Sequence, residues 1–377
     1  MSETGACDAI VVGGGIVGTS AAFFLRRRGL SVTLLERRLC GQEASGVNFG
    51  NIRRQARPIE QLPLANRAYA IWERLPELVG EDCEFLPAGH LRIGYAEDRE
   101  EVFRQYARDA EPFGLGLEIS VGPEVRKRFP YLSPEVKAVC LAPRDGHANP
   151  RLAAPAFARA ARAAGVTVNE NTIVTGIGKS GEDFRVATAK GEWRAPLVLV
   201  ATGAWAGPLC ESLGEPVPLE VRSPQMGVTE PTNYRIRPTH DVSTTHKPEA
   251  LYFRQVKRGN IVFGGCASGP ADPVAGRSRV LPESTLLQLP QLRRLAPALG
   301  QLNVIRVWGG IEGYLPDSLP VVGPSEKWPG LYYAFGFCGH GFQTGPGVGD
   351  AMAELMATGT TATPLGAYSL ARFRAAA

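Results

Sequence analysis

The feature that most constrains the fold is the stretch VVGGGIVGTSAAFFLRRRGLSVTLLER, residues 11–37. Its apolar start predicts a buried strand, its glycines predict a tight turn, and the next residues predict a helix that ends at Gly29. The apolar run 32–35 predicts a second buried strand. A strand, a glycine turn, a helix and a strand in this order predict a β-α-β unit of a parallel sheet.

The glycines of this stretch have the spacing GxGxxG. The first glycine permits the tight turn, the second lets the backbone approach a pyrophosphate, and the third permits close packing of the helix on the strand. Glu36 ends the second strand, where a carboxylate accepts hydrogen bonds from a ribose diol and repels a 2′-phosphate. The stretch therefore predicts a site for FAD or NAD, and the fingerprint alone leaves these two open. The residues assigned to it are Gly13, Gly15, Ile16, Val17, Gly18, Glu36 and Arg37.

Composition is that of an ordinary globular protein. With 377 residues, of which 44% are hydrophobic and 21% charged, the chain can bury a sizeable core. The net charge of +4 and the short arginine clusters predict no nucleic-acid partner. No apolar run reaches about 18 residues, so we expect no membrane span. Seven cysteines without CxxC spacing predict no metal site and indicate reduced thiols in a cytoplasmic protein.

Two kinds of strand pattern alternate along the chain, one typical of a parallel nucleotide-binding sheet and one typical of an antiparallel sheet. The run LVLVA, 197–201, is apolar like the N-terminal strand. The run VIRVWGG, 304–310, ends in glycine in the same way and predicts that strands of the nucleotide-binding sheet resume there. Between them, LYFRQ and NIVFGG are short β-like runs separated by proline-rich turns, which predicts an antiparallel sheet. The sequence thus predicts a discontinuous nucleotide-binding domain with a second domain inserted into it. The expected ranges are 1–80, 145–215 and 306–377 for the first domain, and 81–144 and 216–305 for the second.

Further motifs decide between the two dinucleotides. They are DGHANP (145–150), ATGAWA (201–206), WGGIEGYLPDSLPVVGP (308–324) and GHGFQTGPGVG (339–349). Together with the N-terminal fingerprint, they make nearly the whole chain resemble the FAD-dependent D-amino-acid oxidase family. Within it, the chain is most similar to the branch of glycine oxidase, sarcosine oxidase and amino-acid dehydrogenase β-subunits. The resemblance implies an α/β fold (α+β overall): a Rossmann-like FAD-binding domain with an inserted antiparallel β-sheet substrate domain.

The resemblance also implies where FAD binds, in extended form and non-covalently. A glycine loop and a helix N-terminus near the flavin ring would stabilise the anionic reduced ring, each by about 0.3–1 kcal/mol. The GPGVG segment is not a second nucleotide motif, because Asp350 stands where its last glycine should be. The implied contacts are Ala44 and Ser45 near the pyrophosphate; Asn48, Gly50, Asn51 and Ile52 along the flavin; Val174 near adenine; Thr202, Gly203 and Trp205 in a second loop; and Gly310, Gly339, His340, Gly341, Phe342 and Gln343 around the ring.

Family chemistry implies that a hydride passes from the carbon bearing nitrogen to the flavin, and that the imine is then hydrolysed. An arginine is the expected anchor for a substrate carboxylate. Phe342 and Gln343 stand where glycine oxidases have an arginine and monomeric sarcosine oxidases a lysine, so neither substrate is assigned. Arg254 is the first candidate anchor, followed by Arg53, Arg54 and Arg57. The expected catalytic residues are His340, Arg254, Tyr252, Gln343 and Arg53.

The remaining expectations concern neighbouring side chains and partners. Tyr314 is expected in the pocket, Trp205 and Trp308 are expected to pack beside glycine turns, and His240 and His246 are expected to be solvated. The electron acceptor is oxygen or another redox partner. Alternatives are a flavin subunit of a multi-subunit amino-acid dehydrogenase and, ranked lower, a flavin hydroxylase. A homo-oligomer and a complex subunit both stay open.

Overall fold

The computed structural model describes residues 3–233 and 235–376; residues 1, 2, 234 and 377, which include the outer ends of the expected ranges 1–80 and 306–377, lie outside the described residues. The strands are β1 (Glu3–Ala6), β2 (Ala9–Val12), β3 (Val32–Leu35), β4 (Asn51–Ile52), β5 (His90–Gly94), β6 (Glu118–Val121), β7 (Ala138–Ala142), β8 (Gly146–His147), β9 (Thr167–Asn169), β10 (Val174–Ser180), β11 (Asp183–Thr188), β12 (Gly191–Ala195), β13 (Leu197–Val200), β14 (Glu220–Pro231), β15 (Thr239–Val242), β16 (Leu251–Gln255), β17 (Asn260–Gly269), β18 (Ala271–Asp272), β19 (Arg277–Ser278), β20 (Val304–Gly309), β21 (Glu312–Tyr314), β22 (Val321–Pro324) and β23 (Leu331–Phe335). The α-helices are α1 (Ile16–Arg27), α2 (Ala44–Val47), α3 (Leu62–Trp72), α4 (Leu75–Val79), α5 (Arg99–Ala110), α6 (Pro123–Arg128), α7 (Pro150–Ala163), α8 (Ala206–Ser212), α9 (Pro282–Leu295) and α10 (Gly341–Thr358).

The predicted β-α-β unit is confirmed as β2, α1 and β3, at the centre of a six-stranded sheet. The strand order is β22-β23-β13-β2-β3-β9, and every pair is parallel except β22 with β23. Strands β2 and β3 are buried along their whole length, as expected of apolar runs covered on both faces. Helices α1, α7 and α10 share one hydrophobic core with this sheet, and the small sheet β1-β12-β11-β10 contributes to a second.

Helix α10 fixes the two ends of the chain to each other. The hydroxyl of Ser20 on α1 donates to the carbonyl of Gly345 on α10 at 3.3 Å. Asp350 on α10 accepts from Arg28 at 2.7 Å and forms an ion pair with Arg67 on α3 at 2.6 Å. The glycines of the GPGVG segment therefore lie within a packed helix, and Asp350 joins three helices.

The second large sheet has the order β20-β14-β17-β16-β15-β5-β7-β6, with β21 paired to β14. Its pairs are antiparallel except β15 with β5, which confirms the antiparallel texture predicted for 251–265. In this register Asp241 is opposite Tyr252 on one side and opposite Arg92 on the other. These three side chains therefore share one face of the sheet.

The prediction that the run 304–310 resumes the nucleotide-type strands is wrong. Residues Val304–Gly309 form β20, which pairs antiparallel with β14 at the edge of the second sheet. A short apolar run followed by glycine has the same local signature in either sheet, so pairing decides and the sequence does not show it. The expected boundary at residue 306 falls within this strand, and the division into two domains stays a prediction.

His240 is a further correction, because it is fully buried rather than solvated, whereas His246 is exposed as expected. The ring of His240 stacks on Phe253 with 4.1 Å between the centroids. Its Nε2 is 2.8 Å from the hydroxyl of Tyr131. Burial lowers the pKa of His240 to about 3. The imidazole is therefore neutral in the folded protein at ordinary pH.

We expect His240 to make the folded protein sensitive to acid. The unfolded chain binds a proton on this histidine below about pH 6.5, whereas the folded state does not until about pH 3. The free energy of unfolding should therefore fall as pH decreases through this window, by up to about 1.4 kcal/mol per pH unit for this one group. Urea unfolding between pH 7 and pH 4 measures this slope. His240→Gln should reduce this slope by the contribution of one histidine, since His90, His147 and His340 also have lowered pKa values. The matched change His246→Gln should leave the slope unchanged; equal slopes in both variants would contradict the assignment.

Candidate cofactor and active site

A cavity of about 460 Å³ opens at the carboxyl ends of β2, β3, β13 and β23. Ligands of open α/β sheets bind at this edge, and the volume is in the usual range for a ligand site, about 300–1,000 Å³. Predicted cofactor residues that line it are Gly13, Gly15, Ile16, Val17, Glu36, Arg37, Ala44, Ser45, Asn48, Val174, Thr202, Gly203, Trp205, Gly339, Gly341 and Phe342. Most of the predicted cofactor residues thus lie in the wall of this cavity.

Several predicted residues are not part of this wall. They are Gly18, Gly50, Asn51, Ile52, Gly310, His340 and Gln343. Gly18 instead permits packing, because a Cβ there would lie 1.8 Å from the carbonyl oxygen of Gly13. Other wall residues were not predicted, among them Glu43, Thr172, Ile311, Glu312, Phe337 and Cys338. Ile311 and Glu312 lie inside the motif 308–324, and Phe337 and Cys338 directly precede the motif 339–349, which is the one sequence signal that could have pointed to these four.

The turn after β2 has a conformation that only glycine accommodates easily. Gly13 has φ +108°, and a Cβ there would lie 2.5 Å from the carbonyl oxygen of Ala201. The turn thereby brings the N-terminus of α1 against the cavity. A helix N-terminus presents free amide groups and partial positive charge, which suits a pyrophosphate.

Glu36 lies at the cavity end of β3, and its carboxylate is already held in place. Oε2 accepts from the backbone amide of Gly14 at 2.6 Å, and Oε1 accepts from the amide of Arg38 at 2.7 Å. Burial raises the pKa of Glu36, while these two amides act in the opposite direction. Each oxygen retains capacity for a second donor, so the carboxylate could receive the hydroxyls of a ribose.

The loop after β3 is ordered by its own side chains. Ser45 accepts from the amide of Ile16 at 2.8 Å, so its hydroxyl caps α1. The Asn48 side chain donates to the carbonyls of Ala44 and Ser45, both at 2.9 Å, and accepts from the amide of Gly50 at 2.7 Å. Asn48 therefore shapes the loop rather than offering a free amide to a ligand.

Unsatisfied polar atoms in the cavity wall fit a polar ligand. Within the described part of the chain, the hydroxyl of Thr202 and Nε of Arg37 are buried without a hydrogen-bond partner. The Arg37 guanidinium also lies over the Trp205 ring at 3.7 Å and forms an ion pair with Glu43 at 2.9 Å. Buried polar groups without partners are costly, so a ligand rich in oxygen would compensate them. FAD, with its pyrophosphate and ribose, meets this requirement.

Thr202→Val is expected to weaken FAD binding without lowering the stability of the apoprotein. Valine has nearly the same shape and removes a hydroxyl that lacks a protein partner, so we expect the apoprotein to unfold at equal or higher urea concentration. If FAD satisfies this hydroxyl, its affinity should fall about fivefold to tenfold, the equivalent of about 1 kcal/mol. Quenching of FAD fluorescence gives the dissociation constant. Thr358→Val is the control for FAD affinity, since the Thr358 hydroxyl donates to the carbonyl of Glu354 in the last turn of α10, at the end of the helix away from the cavity; equal FAD affinity in wild type and Thr202→Val would contradict the contact.

A polar cluster surrounds the N-terminus of α10. Nη2 of Arg53 is 3.3 Å from Nε2 of His340, the residue before the helix. Arg57 donates from Nε to the carbonyl of Arg53 and from Nη2 to Oε1 of Gln343. Burial, and then the charges of Arg57 and Arg53, lower the pKa of His340 well below its usual range. His340 is therefore a neutral imidazole beside two cations.

Gln343 is a candidate catalytic residue that the structure buries in protein contacts. Its side chain accepts from Arg57 at 2.9 Å and donates to the carbonyl of Ala65 at 2.9 Å. The indole of Trp72 donates to its backbone carbonyl at 2.8 Å. Both ends of the amide are thus engaged, and Gln343 positions Arg57 and α10.

Two candidate anchors are also engaged. Arg254, only 6% exposed, donates to the carbonyl of Phe49 at 2.8 Å and contacts Nδ1 of His147 at 2.8 Å. Arg54 forms a buried ion pair with Asp145 at 3.1 Å. These arginines hold the loop that is expected to run along the flavin. The anchoring role of Arg254 stays a prediction, and its position favours a structural role.

The face of the second sheet described above closes over this loop. Tyr252 packs on Phe49 with 4.6 Å between the ring centroids. Asp241 forms an ion pair with Arg92 at 3.8 Å, and the nearby charge of Arg53 counteracts the burial that raises the pKa of Asp241. Arg53 thus lies near Asp241, the strand neighbour of Tyr252, and also contacts His340 in the glycine loop of residues 336–341. Of the expected catalytic residues, Arg53 and His340 are in direct contact.

No helix within residues 3–233 and 235–376 is both long and apolar enough to cross a bilayer. No group of three or more histidine, cysteine or acidic side chains suited to a metal ion was found among them.

Comparison with known proteins identifies the family. Residues 8–355 match the family described as "FAD dependent oxidoreductase". The sarcosine oxidase subunit beta of Rhizobium meliloti is 26% identical over 97% of this chain and 88% of that protein, and the glycine oxidase of Geobacillus kaustophilus is 27% identical over 97% of each. The crystal structure of L-proline dehydrogenase from P. horikoshii superposes with a TM-score of 0.92, at 29% identity over 99% of each chain. The predictions of an FAD cofactor and of an oxidoreductase are confirmed. With the geometry of its cavity, this match shows that the chain belongs to the FAD-dependent oxidoreductase family.

Proposed function

We propose that this protein oxidises the C–N bond of an amino acid or a secondary amine, with Arg53 as the anchor for the substrate carboxylate. The observation that carries the proposal is the contact of Arg53 with His340, which lies between the cavity-wall residues Gly339 and Gly341. Full-length similarity to proteins named glycine oxidase, sarcosine oxidase subunit beta and L-proline dehydrogenase supports the reaction class.

The bound FAD would supply the hydride acceptor, while the protein orients the substrate. Arg53 can offer a planar pair of donors to a carboxylate, because its partners are a backbone carbonyl and a neutral imidazole. His340 fixes one edge of the Arg53 guanidinium, and its low pKa avoids a third positive charge. Tyr252 and Phe49 form an apolar wall that would exclude water from the reacting carbon.

Residues 44–50 and 336–341 would hold the cofactor around that carbon. The N-terminus of α10 begins at Gly341, directly after the glycine loop, so its partial positive charge would face the flavin ring. Gly50, Asn51 and Ile52 lie on the segment fixed by Arg254, and Gly310 lies against Val47. We propose that these residues define the flavin position although they are outside the cavity wall.

A second candidate function is a flavin subunit of a larger amine or amino-acid dehydrogenase, with a partner protein as electron acceptor. Proteins named sarcosine oxidase subunit beta, from Rhizobium meliloti and Arthrobacter sp, match 97% of this chain each, at 26% and 28% identity. This arrangement leaves the chemistry at Arg53 unchanged and alters only the acceptor. A cytoplasmic location stays a prediction from the cysteine spacing.

An anaerobic visible spectrum of the purified protein tests the proposal. The protein is mixed with glycine, sarcosine, proline, D-amino acids and N-carboxyalkyl amino acids in turn. Bleaching of the flavin by one of them supports amine oxidation, and recolouring in air identifies oxygen as an acceptor. A flavin that no amine bleaches but NADH does would contradict the proposal in favour of a hydroxylase. A flavin that bleaches but does not recolour in air would favour the subunit alternative.

A further inference from the structure

Glu312 is an acidic side chain at the flavin end of the cavity that has no part in the chemistry above. It lies on β21 and lines the cavity wall. Its Oε2 is 3.8 Å from the position that a Cβ would take at Gly339, in the glycine loop. Tyr314 donates a hydrogen bond to the same oxygen at 3.0 Å. Glu312 therefore faces the region where substrate and flavin would meet.

The negative charge of Glu312 lacks a cation within the described part of the chain. Its hydrogen bond comes from a neutral phenol, and burial raises its pKa without a positive neighbour to oppose it. Asp241, the other carboxylate near this space, has both Arg92 and Arg53 beside it. An enclosed carboxylate without a counter-charge is costly, and a positively charged ligand would compensate it.

The arginine opposite Glu312 on the neighbouring strand is engaged elsewhere. Arg222 is directly opposite Glu312 in the register of β14 and β21. Its guanidinium forms an ion pair with Glu220 at 2.5 Å and lies over the ring of Tyr314 at 4.9 Å. Arg222 thus stabilises the outer side of Tyr314 and leaves the cavity side of Glu312 without a cation.

The reacting amine of the substrate is a poor candidate for the missing cation. Loss of hydride from carbon requires the lone pair of the adjacent nitrogen, so this nitrogen must be neutral when it reacts. A carboxylate beside it would favour the protonated, unreactive form. The cation that Glu312 can stabilise throughout turnover is therefore a second group that stays protonated.

We infer that Glu312, held by Tyr314, binds a second, positively charged nitrogen group of the substrate. The preferred substrates are then amines or amino acids that carry an additional ammonium or guanidinium group. The inference rests on the proposed function, because it adds a specificity contact to the same site. Arg53 and Glu312 would receive opposite charges of one substrate, the carboxylate and the distal cation.

Two ligands of the same shape and different charge test the inference on the FAD-loaded protein. They are 4-guanidinobutanoate and 4-ureidobutanoate, and neither has a free amine to be oxidised. Each is titrated while the visible absorbance of the flavin is followed, since a ligand beside the ring perturbs it. We expect the guanidino compound to bind about tenfold more tightly, as a charge-assisted hydrogen bond would give. E312Q should bring the two affinities together, and E312D should keep the preference.

The wild-type comparison needs no variant, so a poorly folding E312Q leaves the test intact. Arg222→Gln is the matched control and should leave the ratio of the two affinities unchanged. Equal affinities in the wild type, no perturbation by either ligand, or an unchanged ratio in E312Q would each overturn the inference. Failure of the proposed function looks different: no amine would bleach the flavin, whatever the two affinities are. Bleaching by an amine with no charge preference would overturn the role of Glu312 alone.

Discussion

Gly13→Ala is expected to yield a protein that purifies without FAD. A side chain at this position must adopt φ +108° and would place its Cβ 2.5 Å from the carbonyl oxygen of Ala201. The left-handed conformation costs about 1–2 kcal/mol, and overpacking against a backbone atom costs about 1–3 kcal/mol more. The turn would relieve this by shifting the start of α1, and its amides would then miss the pyrophosphate. We expect FAD affinity to fall about 30-fold or more.

The ratio of flavin absorbance to protein absorbance measures this loss directly. Gly207→Ala is the matched control, since Gly207 lies in α8 with no atom within 4 Å of an added Cβ. That variant should retain FAD and should be slightly more stable, because alanine is the better helix former. Full FAD content in Gly13→Ala, with unchanged thermal stability, would show that the turn tolerates a side chain and would refute the argument.

Arg53→Met should lower kcat/KM for carboxylate-bearing substrates by about 100-fold to 1,000-fold while FAD content stays the same. The lost interaction is a charge-assisted pair in a half-enclosed site, for which truncation costs about 2–5 kcal/mol. Arg53→Lys should recover only part of the activity, because an ammonium does not reproduce the planar pair of donors. Steady-state kinetics on the best substrate of the amine panel, with a matching amine that lacks the carboxylate, measures both effects.

The amine without a carboxylate distinguishes loss of the anchor from a general loss of activity. Arg53→Met should oxidise this amine almost as well as the wild type does. Arg26→Met is the matched control: Arg26 is also partly buried, but it donates to the carbonyl of Ala164 far from the cavity. Should Arg254→Met raise KM for carboxylate substrates while Arg53→Met does not, Arg254 would be the anchor instead. Loss of FAD in Arg254→Met would agree with a structural role of Arg254, which donates a hydrogen bond to the carbonyl of Phe49 in the loop expected along the flavin.

The parts of the fold that sequence predicts are those whose signal is local. The unit β2-α1-β3 follows from two short apolar runs, a glycine turn and one helix, all within residues 11–37. Part of the cavity wall follows because Glu36 and Thr202 each lie in a motif at the end of a strand, and such ends meet at one edge of a parallel sheet.

What sequence could not predict depends on pairing between distant segments. The run 304–310 reads as a strand, but only β14 determines which sheet it joins. His240 reads as a polar loop residue, yet the register of β15 and β16 places it against Phe253. Likewise, the sequence ranks Arg254 before Arg53 as the candidate anchor, and only their hydrogen-bond partners reverse this order, since no local sequence pattern distinguishes an engaged guanidinium from an available one.

The contact between α1 and α10 has a consequence for how the protein folds. The bond from Ser20 to Gly345 joins residues 325 positions apart in the chain. Contacts of such high sequence separation form late, because the intervening segment must first lose most of its conformational freedom. During synthesis, the unit β2-α1-β3 would therefore expose its apolar helix until α10 has also left the ribosome. The nucleotide site combines residues of α1 with residues of α10 that are made about 325 residues later.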